Sequence, residues 1–262
     1  MRLRRAELKE FLDEKARHYE QNWFIEDDPI SIPHQLSNKE DVEIAAFLTA
    51  TIAWGQRKTI INNAQKLLEM MDRSPHSFLM NHSEKDLKPF ESFVHRTFNG
   101  DDLLYFISAL RHIYKAHGGL ENAFSQHPTD MQQSIAAFKL TFFSLPHLPR
   151  TQKHVSDPMK KSTAKRLNMF LRWMVRSPQN GVDFGLWSKL DPSHLMLPLD
   201  VHTASVSRKL NLLKRKQNDW NAVEELTANL RKMDATDPTK YDFALFGIGA
   251  YEKHFKSLNS KG

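Results

Sequence analysis

The chain has 262 residues, 37 Lys and Arg against 31 Asp and Glu, a formal net charge of +6 and no cysteine. The missing cysteine excludes disulfides, thiolate nucleophiles, zinc–thiolate centres and cysteine-ligated iron–sulfur clusters, and the moderate basic excess permits a polyanionic partner without specifying one. No apolar run approaches bilayer length and the charged N-terminus is unlike a signal peptide, so a cytoplasmic protein without membrane spans is expected.

In chain order, Leu3, Leu8, Phe11 and Leu12 recur at helical spacing, predicting a surface helix to about Asn22. Asp27-Asp28-Pro29 to Pro33 reads as a loop. From Asp41 to Trp54, Ile44, Phe47, Leu48 and Ile52 form a stripe beside several alanines, as in a buried helix ended by Gly55. Gln56-Arg57-Lys58 makes a polar corner before a helix from Thr59 to Met71. Short helices are predicted near 75–81 and 84–93, and longer ones over 101–117 and 130–143. Residues 144–162 break regularity, and 163–176 resume it. A long irregular connection, 177–199, precedes helices over 200–213, 219–233 and 238–250. No convincing strand alternation occurs, so the expected class is all-α, with roughly ten to twelve helices.

Two basic segments flank Asp200. One runs from Arg150 through Lys153, Lys160, Lys161, Lys165, Arg166 and Arg172 to Arg176 with Asp157 as its single acid. The other runs from Arg208 to Lys216 with none. Such a distribution suits either a phosphate-binding rim or two solvated helix faces. Asp200 itself stands where a helix begins. It can cap free backbone N–H groups or serve as a carboxylate at a cleft. His202 reads as a packed histidine more readily than as a catalyst, and Trp54 as a core residue more readily than as a base-stacking one. An Asp200-x-His202 metal pair lacks a second ligand cluster, so no metal is expected.

Leu197-Pro198-Leu199-Asp200-Val201-His202, followed by Val206-Ser207-Arg208-Lys209-Leu210, resembles the catalytic-aspartate segment of the helix-hairpin-helix DNA glycosylase superfamily, the endonuclease III type. Ile44 to Ala50 resembles its first core helix, Trp220 to Leu230 the helix after the aspartate, and Tyr241 to Gly247 the closing helix. The likeness spans about residues 41–250 and is closest to a bacterial branch described as of unknown function.

The resemblance implies a single glycosylase-like unit over 1–262 with two lobes, about 45–160 and about 1–44 plus 161–262. It implies a monomer that excises a damaged base flipped out of double-stranded DNA, without cofactor and without an iron–sulfur cluster. Asp200 would promote base departure, and Lys165 matches the lysine nucleophile that gives some members lyase activity. Lys160, Lys161, Ser162, Thr163, Arg166 and Arg208 would hold DNA phosphates. Gln56, Arg57 and Lys58 would probe the opened duplex. Two departures stand out: residues 157–165 contain no glycine where the family's hairpin carries Gly-x-Gly, and the interval from Lys165 to Asp200 is long. The missing glycines favour a rival reading, a DNA- or RNA-binding protein that keeps the fold without the chemistry, while retention of both the aspartate and the lysine favours the enzyme.

Overall fold

The computed structural model describes residues 4–252; Leu3 lies outside them. Thirteen α-helices run along the described residues. The first half contains α1 (Arg5–Tyr19), α2 (Asn22–Glu26), α3 (Lys39–Thr51), α4 (Arg57–Met70), α5 (Pro75–Asn81), α6 (Glu84–Glu91) and α7 (Gly100–Ala116). The second contains α8 (Leu120–Phe124), α9 (Met131–Phe142), α10 (Lys165–Val175), α11 (Val201–Lys209), α12 (Trp220–Arg231) and α13 (Tyr241–Tyr251). The all-α class is as expected. The helix count exceeds the expectation because α2 and α8, five residues each, are too short to carry a periodic signal. For the same reason the two-residue antiparallel pair β1 (Val94–His95) and β2 (Phe98–Asn99) has no visible alternation; it turns on Arg96, at φ 55°.

Helix starts follow capping chemistry. Asn99 and Asp102 bond reciprocally at the head of α7, and Asp130 and Asp219 accept backbone N–H groups at the heads of α9 and α12. Gly55, at φ 108°, makes the corner between α3 and α4. α11 is shorter than expected and ends at Lys209. Asn211 then turns left-handed, and the N–H groups of Leu212 and Leu213 fold back onto the Ser207 carbonyl.

A single apolar cluster extends from Leu8 to Ile248. At its centre the Phe47 ring meets those of Phe106, Phe138, Phe142 and Phe170 at 5.5–6.0 Å. The chain ends pair through α1 and α13, where Gly247 leaves room for the Tyr19 ring: a Cβ there would stand 2.2 Å from Tyr19 Cδ2. α11 packs on the same α13, and α10 packs on α3.

Carboxylates inside the core hold the long connection between α10 and α11. Buried Glu43 accepts from Trp187 Nε1 (2.7 Å) and the Tyr114 hydroxyl (2.6 Å). Glu121 accepts the backbone N–H groups of Ser188 and Lys189 at 2.7 and 2.9 Å. Arg231 donates to the carbonyls of Ser193, His194 and Leu195 at 2.8–3.0 Å. The segment Leu195–Leu199 is thereby buried and delivers Asp200 to a fixed place.

Part of the first basic segment turns inward, as neither a rim nor a solvated face would. Arg172 and Arg176 are each 4% exposed. Arg176 donates to Glu20 (2.7 Å), Asp183 (2.5 Å) and Asp237 (2.8 Å). Arg172 donates to Asp242 and lies 3.3 Å from Asp183. Arg150 turns onto Asp102, Asn99 and the Thr97 carbonyl. A charge run read along the chain omits its partners, which come from α1, the connection and α13. Breaking such a pair strands carboxylates inside. Arg176→Ala should therefore cost about 3–5 kcal/mol of unfolding free energy in a denaturant titration. Arg176→Lys should recover only part of it, because a lysine cannot reproduce the forked donor geometry.

Candidate functional site

Asp200 and Lys165, far apart in the chain, line one cavity of about 200 Å³. Its polar wall holds two further carboxylates, Asp28 and Asp242, and two further cations, Arg57 and Arg172. Its apolar wall is largely aromatic, with Trp54, Trp173, Phe243 and Phe246. The elements that meet here are the corner after α3, the heads of α4, α10 and α11, and the buried turns of α10 and α13.

Asp200 occupies both of its expected positions. Oδ1 accepts the N–H groups of His202 and Thr203, each at 2.9 Å, so the residue caps α11. Among the described residues nothing donates to Oδ2, and the half-buried side chain borders the cavity. His202, expected in the core, is exposed, as is Val201, because the first turn of α11 faces outward.

Lys165 is the first residue of α10, half-buried, and its Nζ lies 3.7 Å from Met169 Sδ. The glycine-free segment ahead of it turns left-handed twice, at Lys161 (φ 65°) and Ala164 (φ 46°). Each such turn costs a non-glycine residue on the order of 1–2 kcal/mol, which the surrounding structure must outweigh. It does so by tying the segment down. The Lys161 carbonyl accepts the Trp220 N–H, the Thr163 carbonyl accepts Asn168 Nδ2, and Ser162 Oγ accepts the Ala164 N–H.

The remaining residues divide. Lys160 and Lys161 are exposed on this turn with Ser162 and Thr163 beside them. Gln56 and Lys58 are exposed at the corner, whereas Arg57 turns inward, donating to the Tyr251 hydroxyl at 3.1 Å. Arg166 is engaged with the fold. Its guanidinium lies 4.7 Å from the Trp54 ring centroid and donates to the carbonyls of Thr51 and His154. Burial pulls it down to about 10. Arg208 closes the loop after α11 by donating to the Arg215 and Lys216 carbonyls and to Asn218. A phosphate contact from either arginine would cost these bonds, so among the cations expected to hold phosphates Lys160 and Lys161 are the exposed ones.

Trp54 is neither fully buried nor free to swing. Besides Arg166 it meets His95 at 4.9 Å and His154 at 6.0 Å. Burial lowers His154 to about 4, while Asp102, 3.1 Å from its Nε2, opposes the shift.

Sequence reasoning missed Asp28, Asp242 and Arg172 as cavity residues. Asp242 left one signal, a carboxylate inside the apolar run Tyr241 to Gly247. It is 6% exposed. Burial raises it to about 6; Arg172 opposes that rise and the negative charge of Asp200 adds to it. Burial also raises Asp28, against the pull of the Ile30 N–H, Arg57, Arg172 and Lys165.

Between about pH 4, where an ordinary aspartate titrates, and pH 6 the folded chain keeps a proton on Asp242 that the unfolded chain has released. This residue's contribution to stability therefore falls as pH rises through that window. Asn at position 242 cannot titrate. The melting temperature of Asp242→Asn relative to the wild type should climb between pH 4 and pH 7; a constant difference would contradict the raised value.

No curated protein and no solved structure matches the chain significantly. A family model, described as a protein of unknown function, DUF2400, matches residues 28–251 and so takes in every residue that lines the cavity except Phe24. Over that span the chain belongs to the DUF2400 family.

Proposed function

We propose that this protein is a DNA glycosylase that excises a damaged base from double-stranded DNA, with Lys165 giving it lyase activity as well. One observation carries the reading. The aspartate and the lysine that the sequence singled out for this chemistry line the same aromatic-walled cavity. A base flipped from the duplex would enter between Trp54 and Phe246. As the glycosidic bond breaks, positive charge develops on the sugar, and the unoccupied Oδ2 of Asp200 would stabilise it from a position fixed by the cap. Lys165 would then bond through Nζ to C1′ while the base departs with the bonding electron pair, leaving a reducible Schiff base once the sugar ring opens. The exposed Lys160 and Lys161 would hold the phosphate backbone.

Asp200→Asn separates the chemistry from the cap, because Asn caps helices about as well as Asp. The variant should fold and bind DNA like the wild type and excise the base on the order of a hundredfold more slowly, or worse, in single-turnover assays. Wild-type rates would reduce Asp200 to a cap. Lys165→Ala should abolish the adduct that borohydride traps on DNA carrying the right lesion or an abasic site. Lys160→Ala with Lys161→Ala should weaken duplex binding and flatten its salt dependence, since fewer counterions are released. Binding with neither excision nor adduct on any lesion would leave the rival reading, a nucleic-acid-binding protein without chemistry.

A further inference from the structure

We propose that Asp242 is a catalytic residue of this cavity: its carboxylate takes the proton that the Lys165 nitrogen sheds on bonding to a sugar carbon and returns it to the oxygen that leaves. The proposal deepens the glycosylase reading and rests on its assignment of Lys165 as the nucleophile.

Burial singles Asp242 out from the other carboxylates of the cavity, since Asp28 and Asp200 are only half-buried. Asp200 has one oxygen committed to the α11 cap, and Asp28 accepts the Ile30 N–H with its Oδ1 at 3.1 Å. Asp242 is bound through Oδ2 alone, to Arg172, and among the described residues nothing donates to its Oδ1. A side chain so buried, with an oxygen lacking a partner and a place in the cavity wall, is arranged to exchange a proton with whatever occupies the cavity. Lys165 acts on Asp242 electrostatically, as does Asp200. Arg172 cannot replace it, since a guanidinium accepts no proton.

Other charges around Asp242 are occupied. Behind Arg172 stands Asp183, shared with Arg176. Arg57 is bound to Tyr251, and His202 on α11 is exposed. On α1, Asp13 pairs with Lys240 and Tyr19 donates to Glu252, while Asp237 before α13 pairs with Arg176. Each of the three cavity carboxylates keeps one oxygen without a donor among the described residues, and Asp242 is the one of them that is buried, its other oxygen held by Arg172 of the same cavity.

The step balances on these groups. The amine lone pair forms the N–C bond to an aldehyde carbon, the carbonyl π electrons move to oxygen, and oxygen takes a proton from water, the hydroxide left behind being neutralised by the buffer. The nitrogen proton passes to Asp242. The protonated acid then gives it to the hydroxyl, which leaves as water as the C=N bond forms. Such a carboxylate works best when its titration lies near the working pH, and burial has brought Asp242 to about 6.

Glycolaldehyde with cyanoborohydride tests this without DNA. The adduct at Lys165 is quantified by peptide mass mapping against the exposed Lys160 as internal reference. In the wild type the Lys165 rate should rise through an inflection near pH 6. In Asp242→Asn that inflection should vanish and the rate at pH 7 should fall at least tenfold, with Lys160 unchanged. An unchanged Lys165 profile in the variant would overturn the proposal, and if the variant does not fold, a wild-type profile without an inflection between pH 5 and 7 overturns it equally. Because the probe needs no lesion, an Asp242-dependent adduct without excision on any lesion would fell the glycosylase reading and leave the proton role. Excision with an Asp242-independent adduct would do the reverse.

Discussion

The paired guanidinium groups of Arg172 and Arg176, one helical turn apart on α10, constrain the rest of the molecule. Between them they reach Glu20 on α1, Asp183 in the long connection, Asp237 ahead of α13 and Asp242 within α13. Removing four carboxylates and two guanidinium groups from water costs several kcal/mol per ion, and only close, well-directed pairing offsets it. Few arrangements of these segments satisfy all six groups, so the network sets the register in which the two ends of the chain meet the middle. It also fixes one wall of the cavity, since Asp242 and Arg172 belong to both.

In the same cavity a single residue combines two roles often treated as alternatives. Asp200 caps α11 with one oxygen and presents the other to the cavity. The cap gives the carboxylate a fixed direction at no added cost in side-chain freedom. The buried strand-like approach through Leu195–Leu199, held by Arg231 and Thr227, supplies the fixed position. An electrostatic group placed this way need not reorganise when charge develops, which is the condition for it to act strongly. Strain is stored nearby: Lys161 and Ala164 hold left-handed conformations that glycine would adopt freely, and Lys165 follows directly.

Much of the fold was legible along the chain. The amphipathic stripes of α7, α10 and α12 have a strong 3.6-residue period, because each buries one face over several turns, while α3, buried almost all round, was legible from its apolar and alanine-rich run. Short elements were not legible, since five residues of α2 or two of β1 hold too little of any period. Of the candidate site, Asp200 and Lys165 were readable from local motif and helix position. That Arg166 and Arg208 bond backbone carbonyls was not legible, because a positive residue in a basic stretch reads alike whether it faces solvent or a carbonyl.

The sequence by itself therefore determined the helical class, the main helix positions and the two residues on which the site is proposed. These are local properties, set by periodicity, capping and residue chemistry within a few turns. Tertiary structure alone decided that Lys165 and Asp200 share a cavity, that Asp28 and Asp242 join them there, and that half of the basic segment turns inward. Each depends on contacts between residues distant in the chain, from Glu20 with Arg176 to Arg172 with Asp242. Asp242 belongs to α13, against which α1 and α11 pack and onto which Arg172 of α10 reaches, and burial there raises it to about 6. Neighbours along one strand of sequence carry no record of that enclosure, because desolvation is a property of the surrounding volume.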